Sequence, residues 1–260
     1  MTSTEPQFIS SAANPLLKDL RRLAQDSTAY RKQGRIWLEG DHLCRAALAR
    51  GVQPALAVFA QGYWDANRVE WSRSGGKSVV IADALFAGLS ALESPAHMGL
   101  VLELPVAPAM QAEGPSVILD RVQDAGNVGA ILRSAAAFGF RQVIAIKGTA
   151  ALWSPKVLRA GMGAHFGLQL IEGVEAAALD ALAVTIVATS SHAGQLLHKT
   201  KLPWPCAWVL GHEGQGVSAE LASRAGLTVR IVQPGGEESL NVASAAAICL
   251  HASAAAASLQ

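Results

Sequence analysis

Apolar positions along the chain follow two spacings, that of an amphipathic helix and that of a short buried strand. After Asn14-Pro15, a capping residue followed by a first-turn proline, leucines recur at helical spacing over residues 16–23. A second helix is predicted over Asp41–Arg50, with Gly51 placed to end it. The short apolar runs that predict strands in this part are Ile36–Glu39, Ala55–Ala60, Val79–Ala82 and Gly99–Leu104. The pattern therefore predicts a small α/β unit at the start of the chain.

The segment Pro105–Pro115 contains three prolines and a glycine and has no apolar periodicity. We therefore expect a domain of residues 1–108 and a second domain of residues 109–260. In the second domain, strands are predicted over Ser116–Asp120, Gln142–Lys147, Val184–Thr189, Cys206–Leu210 and Thr228–Val232. Helices are predicted over Val128–Phe138, Ser218–Ala225 and Leu240–Ala257. Such alternation favours a parallel sheet covered on both faces by helices.

The composition excludes several classes of protein. Alanine supplies nearly a fifth of the residues, so the apolar share is 51% although aromatic residues make up only 5%, which predicts a core of small side chains. Met1–Ser10 has neither a basic start nor an apolar run, and no stretch is apolar enough to span a bilayer. We therefore expect neither a secretory signal nor a membrane anchor. The three isolated cysteines are typical of the reducing cytoplasm and unlike a disulfide framework.

Three predicted strands run into loops rich in glycine and polar residues, and ligands bind at such strand ends in parallel sheets. These loops are Leu119–Arg133, Val209–Ser218 and Ile231–Val242. Each loop has a purely structural explanation when it is taken alone. Asn127, and Ser239 or Asn241, would cap the helices that follow, and the glycines would form a tight turn. Glu213 would repel a pyrophosphate, so the second loop suits a cationic or hydroxyl-bearing ligand.

Taken together, the three loops resemble the SpoU (TrmH) family of RNA ribose 2′-O-methyltransferases, which is part of the SPOUT superfamily. The matching motifs are Asn127-x5-Arg133, Gly211-x-Glu213-Gly214-x-Gly216 and Glu238-Ser239-Leu240-Asn241-Val242, within residues 116–257. The first domain resembles the substrate-binding domain that often precedes this core. Its matching segments are Ser11-x2-Asn14-Pro15-x2-Lys18 and Arg35–Gly40.

The resemblance implies an α/β fold in which a parallel-sheet methyltransferase domain with a C-terminal trefoil knot follows a small α/β substrate-binding domain. It implies S-adenosylmethionine as the cofactor, ribosomal or transfer RNA as the substrate, and a homodimer formed through the C-terminal domain. The cofactor contacts implied by motif match are Leu210, Gly211, Gly216, Ile231, Ser239 and Leu240. No metal is implied, and His192 and His198 have no third ligand nearby in the sequence.

The resemblance also implies roles for polar residues. Arg133 would activate the ribose 2′-hydroxyl, while Asn127, Glu213, Ser239 and Asn241 would orient the RNA, the arginine and the loop. A second role for Arg133 is equally consistent with its chemistry, because a guanidinium is not deprotonated in proteins. In that role Arg133 holds the adjacent phosphate and stabilises the developing alkoxide.

The chain departs from the family pattern at three points. Ala125 stands where proline is usual, and His212 stands where a small or amide residue is common. The usual Ile-Pro-Met of the third loop is Ile231-Val232-Gln233 here, with the proline displaced to Pro234. The third departure could alter the affinity for the cofactor.

Two other functions remain open from the sequence. A nucleotide-binding α/β enzyme that uses the Gly211–Gly216 loop would need an acidic ribose-binding residue about 20 positions further on, and Arg230–Gln233 contains none. A catalytically inactive RNA-binding module of the same fold would have lost its chemistry, yet every polar residue of the three motifs is present.

The net charge of +1 is an average over an uneven chain. Leu16–Arg35 carries six basic and two acidic residues, and Arg121–Arg159 carries six basic and one acidic residue. The charge therefore excludes a polycationic coat protein, but it is compatible with a local basic face that binds RNA in a salt-dependent way. The residues predicted to bind RNA are Lys18, Arg21, Arg22, Arg31, Lys32 and Arg35.

Overall fold

The structure is a computed structural model that describes residues 5–72, 76–90, 94–235 and 239–258. The chain divides into two compact units. The first unit contains Met1–Pro105 together with Trp153–Phe166, and the second contains Val106–Leu152 together with Gly167–Gln260. The division after Pro105 lies close to the boundary expected at residue 108. The sequence pattern did not indicate that Trp153–Phe166 belongs with the first unit.

Strands and helices alternate along both units. In chain order the strands are β1 (Gln7–Ile9), β2 (Arg35–Glu39), β3 (Leu56–Ala60), β4 (Ser78–Ile81), β5 (Met98–Glu103), β6 (Ser116–Leu119), β7 (Gln142–Ile146), β8 (Gln169–Val174), β9 (Thr185–Thr189), β10 (Gln195–Leu196), β11 (Cys206–Leu210) and β12 (Leu227–Arg230). The α-helices are α1 (Pro15–Gln25), α2 (Ala29–Gln33), α3 (Asp41–Leu48), α4 (Gln61–Trp71), α5 (Asp83–Ala87), α6 (Ala125–Ala137), α7 (Pro155–Gly161), α8 (Ala219–Arg224) and α9 (Val242–Ala257).

In the first unit the described residues form a mixed sheet with the strand order β1-β4-β3-β5-β2. β1, β4 and β3 are parallel, and β5 is antiparallel to both β3 and β2. Gly99 of β5 leaves room for the buried indole of Trp37, since a Cβ at Gly99 would lie less than 3.0 Å from that ring. Helix α7 packs against β2, where Arg159 lies 3.7 Å from the buried carboxylate of Glu39. Trp153–Phe166 therefore shares the core of the first unit.

In the second unit the described residues form a parallel sheet with the strand order β10-β12-β9-β11-β6-β7-β8. The parallel sheet predicted from the sequence is confirmed. β11 lies between β9 and β6, and all five of its side chains are buried. Because the strands are parallel, the loops that follow β6, β9, β11 and β12 leave from the same edge of the sheet.

The alanine-rich helix α9 packs against α6 and against β11. Its buried face carries small residues, including Ala246, Cys249 and Ser253, so the helix can approach its neighbours closely. The hydroxyl of Ser253 accepts a hydrogen bond of 2.9 Å from the indole N–H of Trp208, a fully buried residue of β11. This bond satisfies a polar group that would otherwise be buried without a partner.

All three cysteines are buried in the core and none is paired in a disulfide. Within the described residues, no helix is long and apolar enough to cross a membrane. The same residues contain no cluster of three His, Cys, Asp or Glu side chains that could hold a metal ion.

Candidate active site

The loop that follows β11 is closed on itself at the carboxyl edge of the second sheet. The backbone N–H of His212 donates to the carbonyl of Gly216 over 3.0 Å, and the N–H of Gly216 donates back over 2.8 Å. Gly216 has a positive φ of 68°. A Cβ at Gly211 would lie less than 3.0 Å from backbone atoms of Gly216 and Val217. Of the glycines predicted to belong to a tight turn, Gly211 and Gly216 are therefore required by its geometry.

A buried carboxylate anchors this loop to the strand beside it. Asp120, which is 1% exposed at the end of β6, accepts a hydrogen bond of 2.6 Å from the backbone N–H of Ser218. Its other carboxylate oxygen accepts from Arg121 Nε over 3.0 Å. Arg121 has a φ of 58° and also donates to the side-chain oxygen of Gln215 over 3.1 Å. Asp120 therefore holds the end of the loop at Ser218, and Arg121 holds its tip at Gln215.

Glu213 connects this loop to the start of helix α6. Its carboxylate accepts hydrogen bonds from the backbone N–H groups of Gln123 and Asp124, at 3.2 and 3.0 Å, and from Asn127 Nδ2 at 3.1 Å. Partial burial raises the pKa of Glu213, but the Asn127 amide and the two backbone donors outweigh it and hold that pKa below its usual value. The carboxylate is therefore ionised at neutral pH, and the stability it contributes is lost as the pH falls through this lowered pKa.

The third loop joins the same network through Asn241. Asn241 Nδ2 donates to Asn127 Oδ1 over 2.9 Å, so Asn241, Asn127 and Glu213 form one continuous hydrogen-bonded chain. Asn241 also caps helix α9, because its Oδ1 accepts from the backbone N–H groups of Ala243 and Ser244. Asn241 therefore both caps a helix and belongs to the site, a combination that the sequence left open.

The prediction that Asn127 caps its helix is wrong. Helix α6 begins at Ala125, and its cap is Asp124, whose carboxylate accepts from the backbone N–H of Asn127 over 2.8 Å. Because Asp124 is the cap of α6, the Asn127 side chain does not serve as one, and its amide links Glu213 with Asn241 instead. The displaced cap therefore makes Asn127 a connecting residue of the site.

Arg133 lies further along α6 and is exposed. It makes no hydrogen bond or ion pair with any other described residue. A guanidinium that is neither paired nor buried is available to an anion from solution. The structure thus places Asn127 and Arg133 on the same helix but joins only Asn127 to the network.

The remaining predicted site residues line the loops at this edge. Leu210 and Gly211 are buried at the end of β11, Ile231 follows β12 and is partly buried, and Ser239 and Leu240 are exposed just before α9. Ser239 has no hydrogen bond within the described part of the chain. Glu238, the first residue of the third motif, lies outside the described residues, as do Gly236 and Glu237.

The basic residues predicted to bind RNA belong to the first unit and differ in their surroundings. Arg21 donates to the carbonyl of Gly88 over 3.1 Å, and Arg35 pairs with Glu103 at 3.3 Å. Arg31 lies over the ring of its neighbour Tyr30. The other three, Lys18, Arg22 and Lys32, are exposed and have no ion pair with any described residue.

Sequence reasoning missed Asp120, Arg121, Asp124 and Gln215 as parts of the site. A signal was present, because Asp120 directly follows an apolar strand, and a carboxylate at such a position needs a partner. The loop after β9 was also passed over. There the hydroxyl of Ser190 accepts from the backbone N–H groups of His192 and Ala193, and a Cβ at Gly194 would clash with the carbonyl of Thr228.

The sequence model of the SpoU rRNA methylase family matches residues 114–251, which is most of the second unit and contains all three loops. The chain belongs to the SpoU rRNA methylase family. The resemblance deduced from the motifs is confirmed. An uncharacterized tRNA/rRNA methyltransferase of Synechocystis is 32% identical over 94% of this chain and 92% of its own length. The 23S rRNA (guanosine(2553)-2'-O)-methyltransferase RlmP of Bacillus subtilis is 29% identical over 94% of this chain and 97% of its own.

Solved structures of SpoU-type proteins resemble the whole chain, including its first unit. A putative RNA methyltransferase of the TrmH family from Porphyromonas gingivalis is 31% identical, with a TM-score of 0.78 over 91% of this chain and 95% of its own. An AdoMet-bound rRNA methyltransferase from Sinorhizobium meliloti is 26% identical, with a TM-score of 0.82 over 96% and 98% of the two chains. The predicted α/β fold class is confirmed, and the trefoil knot stays a prediction.

The loops of this SpoU-family chain fit an adenosyl cofactor. The glycine turn at the carboxyl edge of the sheet can close because Gly211 has no Cβ that would overlap the backbone of Gly216 and Val217. Val232 and Leu240 leave 45% and 38% of their surface exposed in the third loop. The side-chain oxygen of Gln233 is buried and has no hydrogen-bond partner within the described ranges. Apolar surface beside unused polar groups suits a purine ring with a polar edge.

Proposed function

We propose that this protein transfers a methyl group from S-adenosylmethionine to a ribose 2′-hydroxyl of ribosomal or transfer RNA. The observation that carries the proposal is the Asn241–Asn127–Glu213 chain, which ties three loops together beside the glycine turn in a SpoU-family protein. The family, the names of the relatives and the exposed Arg133 on the same helix support it.

The cofactor, when bound, supplies an electrophilic methyl group on a sulfonium. Backbone groups of Leu210, Gly211 and Gly216 would hold its polar edges, and Ile231, Ser239 and Leu240 would cover it from the third loop. The tied loops then act by positioning, because an in-line attack needs the 2′-oxygen within about 3 Å of the methyl carbon. The hydrogen bonds between Glu213 and Asn127 hold the first two of these loops together.

We assign Arg133 an electrostatic role. It holds the phosphate next to the target ribose and stabilises the negative charge that develops on the 2′-oxygen, because a guanidinium keeps its proton. Its exposed, unpaired position on α6 supports this assignment.

The direct test is methyl transfer from labelled S-adenosylmethionine to ribosomal and transfer RNA. A 2′-O-methyl group protects the following phosphodiester from alkali, so labelled dinucleotides should survive alkaline hydrolysis. If the protein is an inactive RNA-binding module, it should bind RNA but transfer no label to it. If it is a nucleotide-binding enzyme, it should neither bind RNA nor label it. Absence of label on every RNA, together with no calorimetric binding of S-adenosylmethionine, would refute the proposed function.

We expect the exposed cations of the first unit to bind the RNA backbone. Changing Lys18, Arg22 and Lys32 together to glutamate should weaken RNA binding more than about tenfold near physiological salt and flatten its salt dependence, because fewer counterions are released. Filter binding at several salt concentrations measures both quantities. Binding of S-adenosylmethionine should be unchanged.

The control for this charge reversal is Lys77→Glu, an exposed lysine of the same unit outside the basic segment Leu16–Arg35. It should leave RNA affinity within about twofold, because a single distant contact contributes little. A loss of binding free energy for Lys77→Glu that is about a third of the loss for the triple variant would show that net charge explains the effect and that the basic segment has no special role.

We further propose that the protein is a cytoplasmic homodimer that associates through its second unit. The support is the exposed apolar surface of helix α9 in that unit, where Ile248 is 42% exposed. Unpaired thiols are compatible with the cytoplasm. Sedimentation that gives the monomer mass at micromolar concentration would contradict the dimer.

A further inference from the structure

The His212 side chain folds back over its own loop. Its Nδ1 accepts hydrogen bonds from the backbone N–H groups of Gly214 at 3.0 Å and of Gln215 at 3.3 Å. The loop residues around it are exposed, so water competes for these two donors in any other conformation of the loop. One ring nitrogen therefore satisfies two consecutive backbone donors at the tip of the turn.

These two bonds determine where the neighbouring side chains point. Glu213 precedes Gly214 and reaches Asn127, while Gln215 is held by Arg121. Fixing the backbone at 214 and 215 thus orients the Glu213 carboxylate, which binds the start of α6. It also orients the Gln215 amide, which binds Arg121 just after β6. The reciprocal bonds between His212 and Gly216 close the base of the turn, directly over Gly211.

We propose that His212 is a positioning residue of this active site, whose Nδ1 holds the glycine loop in the conformation that presents Glu213 to Asn127 and the loop backbone to the cofactor. The inference rests on the proposed function and deepens it. His212 acts through the loop and touches neither the RNA nor the methyl group.

The geometry of the ring fixes its part in these two bonds. Both backbone N–H groups donate to Nδ1, so the lone pair of that nitrogen is the acceptor.

The test compares His212→Ala with His212→Asn. Asparagine offers a side-chain oxygen to the same backbone donors, as in an Asx turn, whereas alanine offers none. We expect His212→Ala to weaken calorimetric binding of S-adenosylhomocysteine and to lower kcat/KM by roughly tenfold, the effect of losing two hydrogen bonds. His212→Asn should restore both to within about threefold of the wild type.

Rescue by asparagine separates positioning from a structural role. If His212→Ala fails to fold, His212→Gln takes its place, because its amide oxygen is one methylene too far along the side chain for an Asx turn. The glutamine variant should then bind S-adenosylhomocysteine about tenfold less tightly than the wild type. An alanine variant that binds as well as the wild type, or an asparagine variant that binds no better than alanine, would overturn the inference. A wild-type protein that binds no S-adenosylhomocysteine would instead overturn the proposed function, and the inference with it.

Discussion

Arg133→Ala should lower methyl transfer about a hundred- to a thousandfold, the loss typical when a preorganised charge donor is removed from a developing oxyanion. Binding of S-adenosylmethionine should stay within about twofold, because Arg133 makes no hydrogen bond or ion pair with the described residues of the cofactor loops. Single-turnover assays with saturating cofactor measure the first quantity, and calorimetry measures the second. The unfolding temperature should not change, since the side chain is exposed and unpaired.

The matched control is Arg141→Ala. Arg141 is also an exposed arginine of the second unit, but it directly precedes β7 and so lies at the opposite, amino edge of the parallel sheet. Its loss should leave methyl transfer within about twofold. A third variant, Arg133→Lys, keeps the charge without the planar fork and should recover only part of the activity. Transfer by Arg133→Ala within a few-fold of the wild type would show that the assigned role is wrong.

Gly211→Ala should abolish measurable cofactor binding and also destabilise the protein. A Cβ at this position would lie less than 3.0 Å from backbone atoms of Gly216 and Val217, and backbone cannot rotate away as a side chain can. Overpacking of this kind costs about 1–3 kcal/mol, and the turn must open to relieve it. Calorimetry with S-adenosylhomocysteine and thermal unfolding test the two effects separately.

The same turn provides the control for this variant. A Cβ at Gly214 would meet only the His212 ring, at an ordinary contact distance of 3.9 Å. Gly214→Ala should therefore bind the cofactor within a few-fold of the wild type and unfold at a similar temperature. If Gly211→Ala also binds normally, the closed turn is not the cofactor-binding conformation.

Strands and helices with a strong local pattern were predictable from the sequence. Cys206–Leu210 is a strand with the predicted limits, and Asn14 caps α1 through a bond to the backbone of Leu16. Helix α4 was not predicted because its apolar residues follow no clear stripe. Trp64 and Trp71 of α4 pack against Phe59 of β3, and this tertiary contact stabilises a helix that local pattern does not indicate.

The short or irregular elements were missed for similar physical reasons. β1 and β10 contain three and two residues, which is too few to show a period. β8 contains Gly173 with a φ of 68°, and its pairing with β7 shifts register after Ile144. Local sequence carries little information about strands that depend on their neighbours for definition.

The site was predictable as a set of residue types but not as a network. The three motifs identified Asn127, Glu213 and Asn241, and the structure joins them by hydrogen bonds. The partnership of Asp120 with Ser218 spans 98 positions of the chain, so no spacing rule could reveal it. Assigning the cap of α6 to Asn127 failed because Asp124, three residues earlier, is an equally good capping residue.

The division of the chain has a consequence for how it can be cut. Because α7 packs against α1 and β2, a fragment that starts at Val106 would carry Val157 and Leu158 without the surfaces that bury them. A fragment that ends at Pro105 would leave exposed the faces of α1 and β2 that pack against α7. Cleavage in the proline-rich segment after residue 105 therefore does not free two self-sufficient halves. No single cut in the gene can therefore separate the two units, although each has its own sheet.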